Sequence, residues 1–313
     1  MAVNGTLKQV AKMMFYRGGG IAMARWMNRN GLRILMYHRF QNREALVRQC
    51  AHIRAHYALV SMARVAEWLD QSAPLPPNAV AITVDDGYRD FYQVAYPVFR
   101  EYGLPVTVYL VSEFLDRKLW LWVDQVRYAF QHGRASRPDL ATPQERKRVA
   151  YQTVESAKRI PNAERLQLLA ELPSRLRVEL PEEVPAEYEP LRWEEVREMA
   201  AAGIEFGAHT RTHPVLSRVS ERSELANEIA GSKRRIEEQL GQPVDHFCYP
   251  NGSNADFNAD AVEAVRSAGF RTSVTTERGL NYAGVDRFRL LRIGVDTGAD
   301  QDYFTRCAAG FRL

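Results

Sequence analysis

The chain has 313 residues, of which 46% are hydrophobic and 26% are charged, so it is long enough for one large α/β domain or two small ones. Its formal net charge of +4 is small for this length, and no nucleic-acid-binding motif is recognisable, so nucleic acid is not expected as a partner. The three cysteines lie far apart without a C-x-x-C pair, which indicates neither a disulfide framework nor a thiolate zinc site.

Residues 1–30 form a basic, amphipathic arm ahead of the first predicted strand. No stretch of the chain approaches the roughly 20 apolar residues that span a bilayer. Arg17 and the glycines 18–20 interrupt the apolar run that a cleavable signal peptide needs, so we expect a cytoplasmic protein. The arm is either a packing segment or an interfacial anchor that lies peripherally on the inner membrane face, with its basic side chains toward lipid phosphates. These side chains are Lys8, Lys12, Arg17, Arg25 and Arg29, beside Met13, Met14, Phe15, Ile21, Met23, Trp26 and Met27.

Short β-rich runs then alternate with longer helical patterns, which is typical of βα units around a parallel sheet. The first of these predict strands at 34–37, 80–84 and 106–111, and helices at about 46–56 and 90–102.

The alternation lapses from about 115 to 190, where the sequence is charged, favours helices and contains no strong strand. We therefore predict a helical insertion within one α/β domain over 31–313. After it, helices are predicted at 193–202, 221–240 and 260–268, and strands at 204–208, 247–249, 272–274 and 290–295.

Two adjacent carboxylates, Asp85 and Asp86, end the second predicted strand in the run Thr83-Val84-Asp85-Asp86-Gly87-Tyr88. Like charges so close together repel, and a bound cation removes this penalty. One carboxylate can then ligate the ion while its neighbour acts as a base. The alternative is an ordinary Asp-Gly turn in which Asp85 caps the next helix.

Two histidines, His209 and His213, follow the strand predicted at 204–208. Neutral imidazole is a preferred zinc ligand, and two histidines with one aspartate leave a coordination position open for water, as hydrolytic sites do. An isolated H-x-x-x-H pair is more often a surface or capping pair. The second polar strand end at Asp85 favours the metal site here.

Together, T-x-D-D-G and H-T-x-x-H-P resemble the polysaccharide deacetylase family, also called the NodB-homology carbohydrate esterases. The family pattern covers roughly 32–125 and 190–296, in the right order and spacing. The resemblance implies a distorted (β/α)7-type barrel with one divalent metal, zinc first and cobalt, nickel or manganese as alternatives. It also implies that Asp85 is the catalytic base and that Asp86, His209 and His213 are the metal ligands.

The third family motif matches Phe247-Cys248-Tyr249-Pro250-Asn251-Gly252. The family uses this segment as groove wall and oxyanion donor, which implies substrate binding by Tyr249, Pro250, Asn251 and Gly252. Many relatives carry an arginine where Cys248 stands, and that arginine steadies the base, so this support is missing here. The Tyr-Pro-x-Gly form resembles the poly-N-acetylglucosamine deacetylase branch. Cys248 is alternatively just a small buried apolar residue.

The last family motif usually supplies a histidine as general acid, but the corresponding stretch, 290–296, contains none. One substitute is His38, at the end of the first predicted strand. The alternatives are that His38 is a hydrogen-bonded structural residue and that Asp85 returns the proton it took.

The resemblance therefore implies an enzyme that removes the N-acetyl group of a hexosamine, with an N-acetylated glycan or a lipid-linked sugar as substrate. The same site would serve an O-deacetylase or a deformylase, because the motifs specify the activation of water and not the leaving group. A further alternative is a catalytically inactive, sugar-binding relative. The missing Leu-x-His histidine favours it, and the intact Asp85, Asp86 and histidine pair disfavour it.

Overall fold

The computed structural model describes residues 18–134 and 140–311, and within them eight strands form one sheet. The strand order is β1-β8-β7-β6-β5-β4-β3-β2, and β1 also pairs with β3, so seven of the strands form a closed ring. The predicted distorted (β/α)7-type barrel is confirmed. The strands are β1 (Arg33–Tyr37), β2 (Ala58–Leu59), β3 (Ala79–Val84), β4 (Val106–Leu110), β5 (Glu205–Ala208), β6 (His246–Cys248), β7 (Thr272–Arg278) and β8 (Leu290–Gly294).

Helices connect the strands, and short side chains begin several of them. Asn42, Ser61 and Asn258 each accept a hydrogen bond from the backbone N–H three residues further on. No helix in the described ranges has both the length and the apolar character needed to cross a bilayer. The α-helices described are Gly20–Met27, Arg43–His56, Met62–Leu69, Tyr96–Glu101, Ser112–Leu115, Trp122–His132, Pro143–Ala157, Asn162–Leu176, Trp193–Ala201, Arg222–Leu240, Ala259–Ser267 and Gln301–Ala308.

The strand β3 shows why the predicted strands form where they do. Its six residues make an unbroken apolar and β-branched run, and all six are buried, as in a parallel strand covered on both faces. The parallel register with β1 aligns Tyr37 with Val84, so the two strands end together. The chain then continues into His38 after β1 and into Asp85 after β3.

The helix predicted over 90–102 is not continuous. The segment Phe91–Ala95 is π-helical, and the α-helix Tyr96–Glu101 follows it. Pro97 lies in the first turn of that α-helix and has no backbone N–H. It cannot make the bond that would continue a regular α-helix through this point, which accounts for the interruption.

The chain divides into two compact units, of which the first comprises Met1–Val84, Asp90–Thr107 and Thr276–Leu313 and the second Asp85–Arg89 and Val108–Thr275. In the second unit, the long helices between 115 and 190 share a small apolar core that includes Trp122, Phe130 and Leu172. The division into an arm over 1–30 and a domain over 31–313 with an insertion stays a prediction. Residues 1–17 of that arm lie outside the described residues.

Candidate active site

The first motif makes a tight turn directly after β3. Asp85 is buried, and the backbone of Asp86 and Gly87 has φ of 76° and 85°. The N–H of Gly87 donates to the carbonyl oxygen of Asp85 at 3.0 Å, which closes the turn. A positive φ is uncommon for a residue with a Cβ. The positive φ reverses the direction of the chain within this turn. The two adjacent carboxylates belong to two different groups of possible metal-donor atoms.

The second motif is a loop that follows β5. The N–H of His209 donates to the carbonyl oxygen of Leu110 at 2.9 Å, which ties the loop to the end of β4. Thr210 and His213 have φ of 68° and 59°, and the N–H of His213 donates to the Thr210 hydroxyl at 3.0 Å. The two imidazole rings therefore face each other, with centroids 4.8 Å apart.

A buried glutamate, Glu228, holds this loop from the helix Arg222–Leu240. Its carboxylate accepts the backbone N–H groups of Arg211 and Thr212, both at 2.9 Å, and the hydroxyl of Thr212 at 2.7 Å. Burial raises the pKa of Glu228 above its usual value, although these hydrogen bonds act in the opposite direction. The sequence does carry a signal for this residue, because Glu228 lies on the buried face of the helix between Leu225 and Ser232.

Three predicted ligands come together between the two motifs. The Nε2 atoms of His209 and His213 lie 3.4 and 3.5 Å from Oδ1 of Asp86. An ion held tetrahedrally by nitrogen and oxygen at about 2.1 Å separates its donor atoms by about 3.4 Å. Both distances to Asp86 thus match a zinc-like site, and all three donor atoms lie within 4.8 Å of one another.

The hydrogen bond of His209 determines which of its nitrogens can bind an ion. Nδ1 lies 2.7 Å from the carbonyl oxygen of Cys248, and a carbonyl can only accept. Nδ1 therefore carries the proton, and the lone pair is on Nε2, which faces Asp86. A carbonyl that orients a histidine in this way is typical of metal-ligating imidazoles.

The second histidine is held through its main chain. The indole N–H of Trp122 donates to the carbonyl oxygen of His213 at 3.0 Å, while the buried Nδ1 of His213 has no hydrogen-bond partner in the described ranges. Burial and the neighbouring His209 lower the pKa of His213 to about 3, so its imidazole is neutral. A neutral imidazole is the form that binds a metal.

The pKa of His209 changes in the other direction. Burial by itself would lower it, but Cys248, Asp86 and Asp85 raise it well above the usual value. A positive charge among these donors is therefore favourable. A divalent cation can take the place of the proton at Nε2, so the electrostatics fit the predicted metal.

A second group of donor atoms lies beside the first. Asp85, His209 and Cys248 each offer a donor atom, these atoms lie within 4.8 Å of one another, and all three side chains are buried. The amino-acid sequence does not predict this group, because the three cysteines lie far apart and form no thiolate motif. Its only sequence signal is the cysteine that stands where many relatives carry an arginine.

The third motif forms a turn after β6. Tyr249 is fully buried, its ring is stacked 4.0 Å from Phe257, and its hydroxyl accepts a hydrogen bond from Ser273 at 3.1 Å. Asn251 is half-buried with φ of 60°, and the N–H of Gly252 donates to the carbonyl oxygen of Pro250 at 2.7 Å. Tyr249 thus supports the turn from inside, and substrate binding by residues 249–252 stays a prediction.

Strained backbone concentrates in these motifs. Of the eight non-glycine residues with positive φ in the described ranges, half lie in the three motifs, namely Asp86, Thr210, His213 and Asn251. Such conformations cost about 1–3 kcal/mol each and persist mainly where function requires them. His38, in contrast, is an exposed residue of the first unit, and its assignment as the general acid stays a prediction.

The polysaccharide deacetylase family matches residues 72–273, which is more than half of the chain. The polysaccharide deacetylase homologue YxkH of Bacillus subtilis is 22% identical over 281 residues, covering 87% of this chain and 74% of that protein. The poly-β-1,6-N-acetyl-D-glucosamine N-deacetylase of Escherichia coli is 36% identical over 73 residues, which are 23% of this chain and 11% of that one.

Several solved structures share the fold. The de-N-acetylase from Aggregatibacter actinomycetemcomitans superimposes with a TM-score of 0.60 at 17% identity, over 88% of this chain and 99% of that one. IcaB from Ammonifex degensii superimposes with a TM-score of 0.59 at 18% identity, over 90% of this chain and 96% of that one. The Streptococcus pyogenes deacetylase PplD superimposes with a TM-score of 0.58 at 18% identity, over 85% of this chain and 92% of that one.

A closed βα barrel with carboxylates and histidines gathered after its strands defines a barrel hydrolase. The chain belongs to the polysaccharide deacetylase family, and it is a carbohydrate deacetylase. The relatives include a poly-β-1,6-N-acetyl-D-glucosamine N-deacetylase, which supports the branch expected from the Tyr-Pro-x-Gly form.

Proposed function

We propose that this protein hydrolyses the N-acetyl group of a hexosamine within a glycan or a lipid-linked sugar, and releases acetate and a free amine. The observation that carries the proposal is the convergence of Asp86, His209 and His213 on one point, with the buried Asp85 adjacent in the chain. A short match to a poly-N-acetylglucosamine deacetylase supports this substrate class.

Asp86, His209 and His213 would hold one divalent ion. Zinc suits two imidazoles and a carboxylate, and cobalt, nickel or manganese are the alternatives. When bound, such an ion polarises the acyl carbonyl and lowers the pKa of a water molecule.

Asp85 acts as the base that takes a proton from the attacking water, a role that typically contributes about 10²–10⁴ in rate. A backbone N–H of the turn at Pro250–Gly252 donates to the oxyanion that forms on the acyl carbon. The leaving amine then takes up a proton, and the carbon–nitrogen bond breaks.

The proton for the amine comes from His38 or from the protonated Asp85. His38 is supported by its place directly after β1, whose last residue pairs with the last residue of β3. An acid must be protonated to act, so its loss should slow turnover and remove the decline in rate at high pH. If His38→Ala leaves the pH–rate profile unchanged, Asp85 is the only acid and base.

Acetate release from a panel of sugars, with and without a chelator, tests the proposal. The panel contains β-1,6-linked N-acetylglucosamine oligomers, other N-acetylated oligosaccharides, and O-acetylated and N-formylated sugars. We expect release from N-acetylhexosamine substrates that stops on chelation and returns with zinc or cobalt. Preference for an O-acetyl or formyl group would replace the proposed substrate, and tight sugar binding without any release would indicate the inactive relative.

The metal assignment has its own test. Elemental analysis of purified protein should find about one divalent ion per chain, and His209→Ala and His213→Ala should lose it. The exposed His132 provides the matched control, and His132→Ala should keep the ion. Full metal content in the His209/His213 double variant would contradict the ligand set.

We also propose a peripheral membrane contact through residues 1–30, in a protein that stays on the cytoplasmic side. In the helix Gly20–Met27, Met23, Trp26 and Met27 are 61%, 62% and 65% exposed, and Arg29 lies over the Trp26 ring at 4.6 Å. Exposed apolar residues beside basic ones are what an anionic lipid surface binds. Deletion of residues 1–28 should shift the protein from the membrane to the soluble fraction of cells, and an unchanged distribution would favour a packing arm.

A further inference from the structure

We propose that Cys248, Asp85 and His209 form a second metal-binding mode of this site, which selects thiophilic ions such as cadmium or excess zinc and excludes the catalytic mode. The inference rests on the proposed function, because the two modes share His209. It adds a ligand of a different chemical class, a thiolate, to the donors that the deacetylase motifs supply.

The three donors are positioned by the ends of different strands. Asp85 follows β3, His209 follows β5, and Cys248 is the last residue of β6. Their donor atoms lie within 4.8 Å of one another, and each side chain is buried. Bonds of about 2.3 Å to sulfur and about 2.0–2.1 Å to nitrogen and oxygen would separate the donors by about 3.6 Å. A shortening of these separations by about 1.5 Å at most is therefore enough to close this group on an ion.

The hydrogen bond at His209 makes the two modes mutually exclusive. Nδ1 of His209 donates to the carbonyl oxygen of Cys248, so only Nε2 has a lone pair to give. The proposal uses Nε2 as the donor of His209 in both modes, so Nε2 can bind an ion held with Asp86 and His213, or one held with Asp85 and Cys248, but not both. An ion in the second position also takes up the carboxylate of Asp85. Asp85 can then no longer accept the proton of water, so this mode is inhibitory.

The softness of the ligand atoms determines which ion binds in which mode. A thiolate favours cadmium and zinc, whereas manganese prefers nitrogen and oxygen. The Cys248 thiol gives its proton to solvent when the ion binds, as thiol ligands do. Cys50 and Cys307 are buried as well, but in the described ranges they belong to no such group of donors. They therefore serve as internal controls.

A cadmium titration tests this mode directly. A cadmium–thiolate bond produces a charge-transfer absorption in the ultraviolet, which appears in a difference spectrum and does not depend on activity. The intact protein should develop this band as cadmium binds, and Cys248→Ala and Cys248→Ser should lose it. The matched variants Cys50→Ala and Cys307→Ala should keep it. If the band is absent when cadmium is stoichiometrically bound, or persists in Cys248→Ala, the inference is overturned.

His213→Ala separates this inference from the proposed function. The substitution removes a ligand of the Asp86 group but none of the Cys248 group, so the cadmium band should persist while deacetylation is lost. Loss of the band in this variant would show that cadmium and Cys248 do not form an independent mode. If the intact protein shows the cadmium band but releases no acetate from any sugar of the panel, the second mode stands and the proposed function fails.

Inhibition provides the second measurement. Each variant is compared with its own uninhibited rate, so a change in basal activity does not enter the result. Cadmium should inhibit the intact protein and Cys307→Ala to the same extent, and Cys248→Ala should be clearly less sensitive. Equal sensitivity of Cys248→Ala and Cys307→Ala would overturn the inhibitory role.

Discussion

Two regions of the molecule bury charged side chains, one in each unit, and they do so in different ways. In the first unit, Arg33 is fully buried at the start of β1, and its Nε and Nη1 donate to the carbonyl oxygens of Ala308 and Gly31 at 2.6 and 2.9 Å. Burial lowers the pKa of Arg33. An arginine nevertheless stays charged in proteins. Backbone carbonyl oxygens of the fold thus accept from two of its nitrogens, the Tyr57 ring lies 5.3 Å from the guanidinium carbon, and the buried Nη2 has no hydrogen-bond partner among the described residues.

In the second unit, the charged groups are gathered without being matched in this way. The imidazole nitrogens of His209 and His213 lie 3.4 and 3.5 Å from Asp86, beyond the roughly 2.7–3.2 Å of a good hydrogen bond. The spacing suits an ion between the atoms better than contact among them. Burial alone therefore does not distinguish a structural charge from a functional one. The distances between the charged group and its neighbours do.

The largest expected effect comes from separating the two adjacent carboxylates of the second unit. Asp85→Asn should lower turnover by about 10²–10⁴ and keep the metal, because an amide cannot take the proton of water. Asp86→Asn is the matched control, since it makes the same change one residue further on and should lose metal and activity together. Turnover and metal content of both variants decide the matter. Near-normal turnover of Asp85→Asn would assign the base to another group.

The opposite result is expected in the first unit. Arg33→Met keeps the apolar part of the side chain but leaves buried carbonyl oxygens without their donors, which should lower the free energy of unfolding by about 2–4 kcal/mol. Metal content and turnover per folded molecule should not change. Denaturant unfolding and elemental analysis measure the two quantities. A variant of normal stability that has lost its metal would break the comparison, because Arg33 would then belong to the site.

The strands and the site motifs could be predicted from sequence for a common reason. β3 is an unbroken apolar run that stops at Asp85, so its position and its polar end are both local properties. No prediction covers β2 or the helix Gln301–Ala308, which have only two and eight residues. The interruption at Phe91–Ala95 depends on one proline inside an otherwise regular helical pattern. Short elements and single-residue interruptions of this kind leave no signal in a hydrophobic pattern that is averaged over several turns of helix.

The parts of the site that were missed depend on contacts between distant residues. Glu228 lies 16 and 17 residues from the backbone groups that it binds, and Cys248 is 39 residues from His209. Glu228 belongs to no motif, and Cys248 stands in the third motif at a position where many relatives carry an arginine and not a metal ligand. The fold alone brings them to the loop, and the ligand spacing around Asp86 is likewise a property of the folded chain.

A smaller effect is expected from the support beneath the metal ligands. Glu228→Ala removes the acceptor for two backbone N–H groups and one hydroxyl of the histidine loop. Partners of this kind typically contribute 10- to 100-fold in metal affinity, so we expect a loss of about that size. Glu228→Gln keeps an acceptor oxygen and should lose clearly less. A competition titration with a chromophoric chelator measures both, and equal affinity of Glu228→Ala and the intact protein would remove Glu228 from the site.

The smallest effect concerns a histidine of the first unit, where burial serves the fold. His52 packs edge-on against His56 and Phe304, with ring centroids 4.6 and 6.0 Å away. Burial, then His56 and Arg25, lower the pKa of His52 to about 4. The unfolded chain takes up a proton at about pH 6.5, before the folded chain does, so stability is fully present above that pH. The free energy of unfolding should fall as the pH drops from about 6.5 toward 4, by on the order of 1 kcal/mol once the partial exposure of His52 is allowed for.

His52→Leu should flatten the curve of unfolding temperature against pH between about pH 4 and 6.5, because leucine fills the space and takes up no proton. The exposed His132→Leu is the control and should keep the slope of the intact protein. If His52→Leu and His132→Leu give the same curve, the acid sensitivity of the protein lies elsewhere, and burial at His52 has no cost in this range.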